Sequence, residues 1–344
     1  MATFTKEIEH PNDAVCEIVG LSICNHPRII KPLGITFLDD KAQIILPKLI
    51  PLCEYKCNSF TDRLQLIYDI TCAMAYLRDI GIMHRDIKEH NIVCENGRAK
   101  LIDFNLCVFV VGSLFLKPCS TITHRAPEVE KSIFDNTADI WSLGLVIYRI
   151  ITGHSWKDMA YDSGWFVEEY DERWIKFMLM PETIERMEKC ILDDPALSCV
   201  SIDEQKFLIR LMKGCLQLDE HRITEAHIIN LILRHDGIIA DCHGAAKLTK
   251  RLSPEFELSE YDSVTHIIKS QVSYIRDHMY GVIKKLFDMN IKEEQIIYAM
   301  VQIILNMYDV SHTDAQYAFE YFGFEYLSDI HKALNGNYRD VLFE

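Results

Sequence analysis

Residues 83–106 read MHRDIKEHNIVCENGRAKLIDFNL, and four polar side chains in this stretch decide how the chain is read. Asp86 is followed two positions on by Lys88 and five on by Asn91, and Asp103 lies further along inside a hydrophobic run. Residues 91–103 read as two short strands around Glu95-Asn96-Gly97, and Asn-Gly is among the strongest short-range hairpin signals. Loops joined by such a hairpin can bring all four side chains to one point. Their chemistry suits a phosphoryl group in transfer, which needs positive charge around its oxygens and an oriented nucleophile more than covalent help. Mg²⁺ prefers carboxylate and amide oxygens. On this reading Asp103 holds metal against ATP phosphates and Asn91 holds a second ion. Asp86 accepts a hydrogen bond from the attacking hydroxyl, and Lys88 neutralises charge on the γ-phosphate.

Working outward, residues 61–80 carry apolar side chains at 66, 70, 73, 74 and 77, a helical period. Ser59 or Thr61 is placed to cap that helix and Gly81 to end it. Upstream, residues 34–47 contain two β-rich runs about Asp39-Asp40, a predicted hairpin. Residues 13–24 read as a short amphipathic helix stopped near Pro27. From 139 to about 235 the pattern is helical, residues 236–262 read as a linker, and residues 263–344 return to helices. In that last part Ile275, Met279, Val282 and Leu286 share one face, and Ile296, Met300, Ile303 and Met307 another.

HRDIKEHN and LIDFN resemble the catalytic loop and the metal-binding motif of eukaryotic protein kinases. RAPE at 125–128, DIWSLG at 139–144 and LDEHRIT at 218–224 resemble further kinase motifs in the expected order. The resemblance implies structural roles for Arg85 and Asp139 and a pairing of Arg222 with Glu128. Glu17, nine residues before the HPRI at 26–29, matches the helix glutamate that pairs the ATP-binding lysine; a solvated helix face is the alternative. Leu46, Lys48 and Leu49 fall in the adenine-contacting hinge, with Pro47 an unusual residue there. TITHRAPEV resembles the cyclin-dependent kinase branch. It implies that Thr121 hydrogen-bonds Asp86 and Lys88 and that substrates are Ser/Thr; an ordinary loop threonine is the alternative. His124 stands where an aromatic residue is usual, and Glu89 where a proline is common. Leu116 takes the place of the usual phosphorylated threonine, with Ser113 and Ser120 the nearby hydroxyls, so activation by loop phosphorylation is not expected.

The glycine-rich loop that the resemblance calls for is not found among the sixteen residues before Glu17. Lys6 is the one lysine there, eleven residues upstream of Glu17 and closer than the resemblance implies. It is either the ATP lysine or a surface lysine. The metal motif ends in Asn105 instead of glycine, and asparagine tolerates left-handed backbone better than most residues, so the turn can survive. Three accounts stay open: an active kinase with a minimised N-lobe, a pseudokinase scaffold, or a sequence trimmed at its start.

The fold expected is α+β: a kinase-like domain over 1–235 (N-lobe remnant 1–47, mostly helical C-lobe 48–235), the 236–262 linker and an α-helical extension over 263–344. The extension resembles the first helices of a cyclin box, with Arg276 as the basic residue of the first helix and Ile304 where an acidic partner is usual. Packing of these helices against residues 13–24 would brace the N-lobe in cis, and tethering would favour it. A net charge of −15 argues against a nucleic-acid-binding surface. Twelve cysteines without a CxxC pair read as reduced thiols. The apolar run 106–116 is about half the ~20 residues that span a bilayer. The expectation is an intracellular protein, cytoplasmic or nuclear, using ATP and Mg²⁺ on protein substrates, with no membrane and no nucleic-acid partner.

Overall fold

Strands β1 (Thr3–Ile8), β2 (Gly34–Phe37) and β3 (Ala42–Pro47) form an antiparallel sheet in the order β1-β3-β2. The computed structural model describes residues 2–9, 17–18, 20–21, 24–37, 42–109, 114–115, 120–131, 133–162 and 173–241. The expectations placed on Ser113, Leu116, residues 242–262 and the 263–344 helices with Arg276 and Ile304 lie outside them. The predicted hairpin is β2 and β3, with Phe37 opposite Ala42. On its other side β3 carries β1, with Lys6 opposite Ile44 and Phe4 opposite Leu46. Ala42, Ile44 and Leu46 are buried while the residues between them are half-buried, the alternation of a pleated strand with one face on a core. Glu17, Ile18, Gly20 and Leu21 are helical and buried.

A second sheet, in the order β4 (Ile50–Pro51), β6 (Ile92–Glu95) and β7 (Arg98–Leu101), contains the Asn-Gly hairpin. Asn96 and Gly97 have φ of 51° and 77°, the left-handed pair that a two-residue hairpin turn of this hand demands. Between β4 and β6 runs α1 (Phe60–Asp79). Its first turn is closed by a capping box: Ser59 Oγ accepts from the Asp62 amide at 3.0 Å, and the Asp62 carboxylate accepts from the Ser59 amide at 3.1 Å. Ser59, and not Thr61, is therefore the cap. Nearly every residue from Leu64 to Ala75 is buried. A helix covered on all sides sits inside its domain.

After Gly81, at φ 70°, come β5 (Ile82–Met83), which pairs with β8 (Val108–Phe109), and the pair β9 (Leu114–Phe115) with β10 (Ile133–Phe134). Helix α2 (Thr137–Thr152) is likewise buried along its length. Helices α3 (Trp156–Asp162), α5 (Pro181–Leu192) and α6 (Ile202–Cys215) pack against it, α4 (Arg173–Met178) packs on α5, and α7 (Glu225–Ile232) packs on α1. Gly144 lets α2 approach the end of α6, since a Cβ there would stand 2.8 Å from the Leu216 side chain.

Residues 236–241 stay on this body. The Ile239 amide donates to Gln65 Oε1 at 2.8 Å. Asp241 accepts from Arg98 at 2.6 and 2.9 Å and pairs with Arg28. Arg98 also grips the fully buried Asp69 of α1 through two bonds, at 2.7 and 2.9 Å. Among the described residues no helix is long and apolar enough to cross a membrane.

Candidate active site

Two groups of polar side chains make up the site. The first begins on the edge strand. Lys6 Nζ donates to Glu17 Oε2 at 2.6 Å and to Asp103 Oδ1 at 3.3 Å. Lys6 is thus a cleft lysine, not a surface one, and Glu17 is its partner, not a solvated residue: Glu17 is 1% exposed. Burial works against the Lys6 ammonium, but the Glu17 and Asp103 carboxylates outweigh it and raise the Lys6 pKa. Gly20 makes this approach feasible, because an added Cβ would come within 2.8 Å of Phe104 Cβ and Cys107 Sγ. The glycine therefore seats the Glu17 helix directly on the segment that carries Asp103.

The second group is built on the catalytic-loop stretch. Asp86 Oδ1 accepts from Thr121 Oγ1 at 2.6 Å. Its Oδ2 accepts from Asn91 Nδ2 at 2.7 Å and lies 2.7 Å from Lys88 Nζ. Lys88 Nζ also donates to Thr121 Oγ1 at 2.8 Å. Burial would raise the Asp86 pKa, but the bonds from Lys88 and Thr121 overcome it and hold the carboxyl below its usual range. Asp86 is ionised at neutral pH, as an acceptor for a hydroxyl proton must be.

The two groups are fastened together through Ile102, the residue before Asp103. Its amide donates to the Asn91 carbonyl at 3.0 Å, and its carbonyl lies 3.1 Å from His84 Nε2. His84 Nδ1 accepts from the Asp86 amide at 3.3 Å, so Nε2 carries the proton. Burial lowers the His84 pKa and keeps the ring neutral. Below them Asp139 accepts from the His84 and Arg85 amides at 2.8 and 3.0 Å. Burial pushes the Asp139 carboxyl up to about 7 against those two bonds. Arg85 Nε reaches the Leu106 carbonyl at 2.8 Å, tying the loop to the residues after the metal motif. The His84 bridge is a positioning contact that spacing alone did not reveal; its signal was the histidine preceding Arg85-Asp86.

The turn at Asp103 departs from expectation. The left-handed residue is Asp103 itself, at φ 64°, and Asn105 has no positive φ. This backbone twist accompanies a carboxylate that faces Lys6 of β1, and an aspartate tolerates that region better than most side chains. Further out, Arg222 forks onto both Glu128 oxygens, with Nη2 to Oε2 at 3.0 Å, and its guanidinium lies 5.4 Å from the Trp141 ring centroid. Of the residues expected at the hinge, Leu46 is buried, Leu49 half-buried and Lys48 exposed. The Lys48 amide donates to the Ala2 carbonyl at 2.9 Å, so the start of β1 is bound to the segment just after β3.

Asp103 and Asn91 suit Mg²⁺. Both Asn91 amide contacts go to Asp86, one to its backbone carbonyl at 2.9 Å, which leaves the Asn91 carbonyl oxygen as the atom to ligate metal. Among the described residues no three His, Cys, Asp or Glu side chains form a metal cage.

The protein kinase domain model matches residues 3–236, more than half the chain, and the chain belongs to that family. It is 32% identical over 160 residues to an Aurora kinase of Dictyostelium discoideum, covering 44% of this chain and 41% of that protein. It is 31% identical over 159 residues to cAMP-dependent protein kinase type 3 of Saccharomyces cerevisiae, covering 44% and 39%. A dual specificity mitogen-activated protein kinase kinase of Caenorhabditis elegans is 31% identical over 150 residues, covering 39% and 34%. The chain spans well under half the length of these curated relatives.

Proposed function

We propose that this chain is a serine/threonine protein kinase of cyclin-dependent-like type, transferring the γ-phosphate of ATP to protein hydroxyls. It would work inside the cell, in cytoplasm or nucleus. The observation that carries the reading is the closed set of bonds among Asp86, Lys88, Asn91 and Thr121. Asp86 is ionised and aimed to accept a hydroxyl proton. Thr121 fixes the Asp86 carboxylate and the Lys88 ammonium in one orientation, and that supports a small aliphatic hydroxyl as the acceptor. Lys6, held by Glu17, would bind phosphate oxygens. Mg²⁺ at Asp103 and Asn91 would supply positive charge at the phosphates.

The alternative is a catalytically impaired scaffold. The Lys6–Asp103 contact favours it, because an ammonium 3.3 Å from Asp103 Oδ1 competes with metal for that oxygen. Transfer from labelled ATP with Mg²⁺ to a generic basic protein, compared with an Asp103→Ala variant, separates the two. Transfer lost in the variant is the expected result; no transfer from folded wild-type protein would move the assignment to the scaffold.

A further inference from the structure

Two residues that depart from the usual kinase pattern, Glu89 in the catalytic loop and His124 before RAPE, are 35 positions apart and touch. Glu89 Oε2 lies 2.9 Å from His124 Nε2, and each residue is 4% exposed. We propose that Glu89 and His124 are a positioning pair that clasps the 120–125 segment onto the catalytic loop and holds Thr121 in place between Asp86 and Lys88. The inference rests on the kinase reading for its consequence in catalysis, though not for the clasp itself.

The geometry is that of two adjacent rungs. Lys88 and Glu89 are neighbours on one side. On the other, Thr121 and His124 are the two ends of a single tight turn, in which the His124 amide donates to the Thr121 carbonyl at 2.9 Å. Lys88 bonds Thr121 on the first rung and Glu89 bonds His124 on the second. One turn cannot shift without breaking both. From the far side Ser142 of α2 donates to the His124 carbonyl at 2.7 Å, which seats the turn on the core.

Burying a carboxylate is costly unless it is paired, so each departure is tolerable only with the other. Burial would raise the Glu89 pKa, and the hydrogen bond and charge of His124 outweigh it, bringing it down to about 2. The second ring nitrogen, His124 Nδ1, lies 3.2 Å from Thr123 Oγ1. A neutral ring can donate from Nε2 and accept at Nδ1, and a charged ring can donate from both. Each ring nitrogen of His124 thus has a polar partner within hydrogen-bond reach, and the clasp is a fixed element of the fold.

The test compares the full-length chain with His124→Phe, Glu89→Leu and the double variant. Leaving one charge or one polar ring unpaired should raise the KM for the protein substrate or lower kcat at least tenfold, with the KM for ATP within twofold of wild type. The double variant, an apolar pair, should recover most of that loss. Additive losses in the double variant, or KM values for ATP and protein that rise together, would overturn the proposal. Amide hydrogen exchange provides the readout that needs no activity: residues 121–125 should exchange at least tenfold faster in His124→Phe while α2 is unchanged. Unchanged exchange at 121–125 refutes the clasp. A wild-type chain without transfer but with faster exchange in the variant would instead sink the kinase reading and keep the clasp.

Discussion

Replacing Lys6 by methionine asks whether a lysine so near the start of the chain belongs to the active cleft. Exposed ion pairs contribute ~0–1 kcal/mol, and removing one partner of a fully buried pair costs ~3–5 kcal/mol. The Lys6 side chain is 26% exposed and that of Glu17 1%, so the loss should fall between these limits, at about 2 kcal/mol. For a domain of this size that lowers Tm by roughly 4–8 °C. A surface lysine would cost no more than about 0.5 kcal/mol. The loss should also grow with pH. Burial pushes the Glu17 carboxyl up and Lys6 opposes it; without Lys6 the folded protein binds a proton there that the unfolded chain releases, so stability falls as pH rises above the ordinary glutamate range. Nucleotide gives the functional half of the assay. Mg·ATP at ~100 times its Kd stabilises a protein by about 2.7 kcal/mol, and the variant should lose most of that rise along with phosphate transfer. Thermal unfolding at pH 6 and pH 8, with and without Mg·ATP, measures all of this. A Tm within 1 °C of wild type (the ~0.5 kcal/mol of an exposed site) together with an intact ATP shift would refute the cleft assignment.

Other outcomes follow from single contacts. Gly20→Ala should push the Glu17 helix off Phe104 and Cys107, costing about 1–3 kcal/mol and reducing transfer more than tenfold; a fully active variant would show that the helix has room. Asp69→Ala should cost ~3–5 kcal/mol in urea unfolding, because Arg98 and Arg28 lose their buried carboxylate, and a change below ~1 kcal/mol would dismiss that network as a stabilising one. The Glu89 carboxyl, at about 2 in the folded protein, favours the folded state above the unfolded glutamate pKa, so this stability is lost as pH falls from about 4.5 towards 2. Acid titration of unfolding should be flatter in Glu89→Gln by roughly 3 kcal/mol across that window; parallel curves would show that Glu89 contributes nothing there. Arg222→Ala should lower Tm by ~6 °C or more through the loss of its bidentate grip on Glu128, and an unchanged Tm would remove that pair from the stabilising contacts.

Much of this protein is legible in its sequence, and what is legible is local. The turn at Asn96-Gly97, the Ser59 cap and the α1 period all act within a few residues, where backbone conformation and side-chain chemistry are coupled directly. The spacing of Asp86, Lys88 and Asn91 is local too, and the hairpin between Asn91 and Asp103 carries that locality as far as the metal motif. What tertiary structure alone decided depends on contacts between distant segments. Whether Lys6 is a cleft or a surface lysine turns on Asp103, 97 residues away, and on a glycine that lets a helix approach. The left-handed residue at the metal motif is Asp103 and not Asn105, and its carboxylate faces a lysine from another strand. Glu89 and His124 each looked like an isolated departure, and only folding brought them within 2.9 Å. A sequence displays its turns, caps and catalytic spacings because neighbours in the chain are neighbours in space; it does not display which buried charge answers which, because that pairing exists only after the core has closed around both.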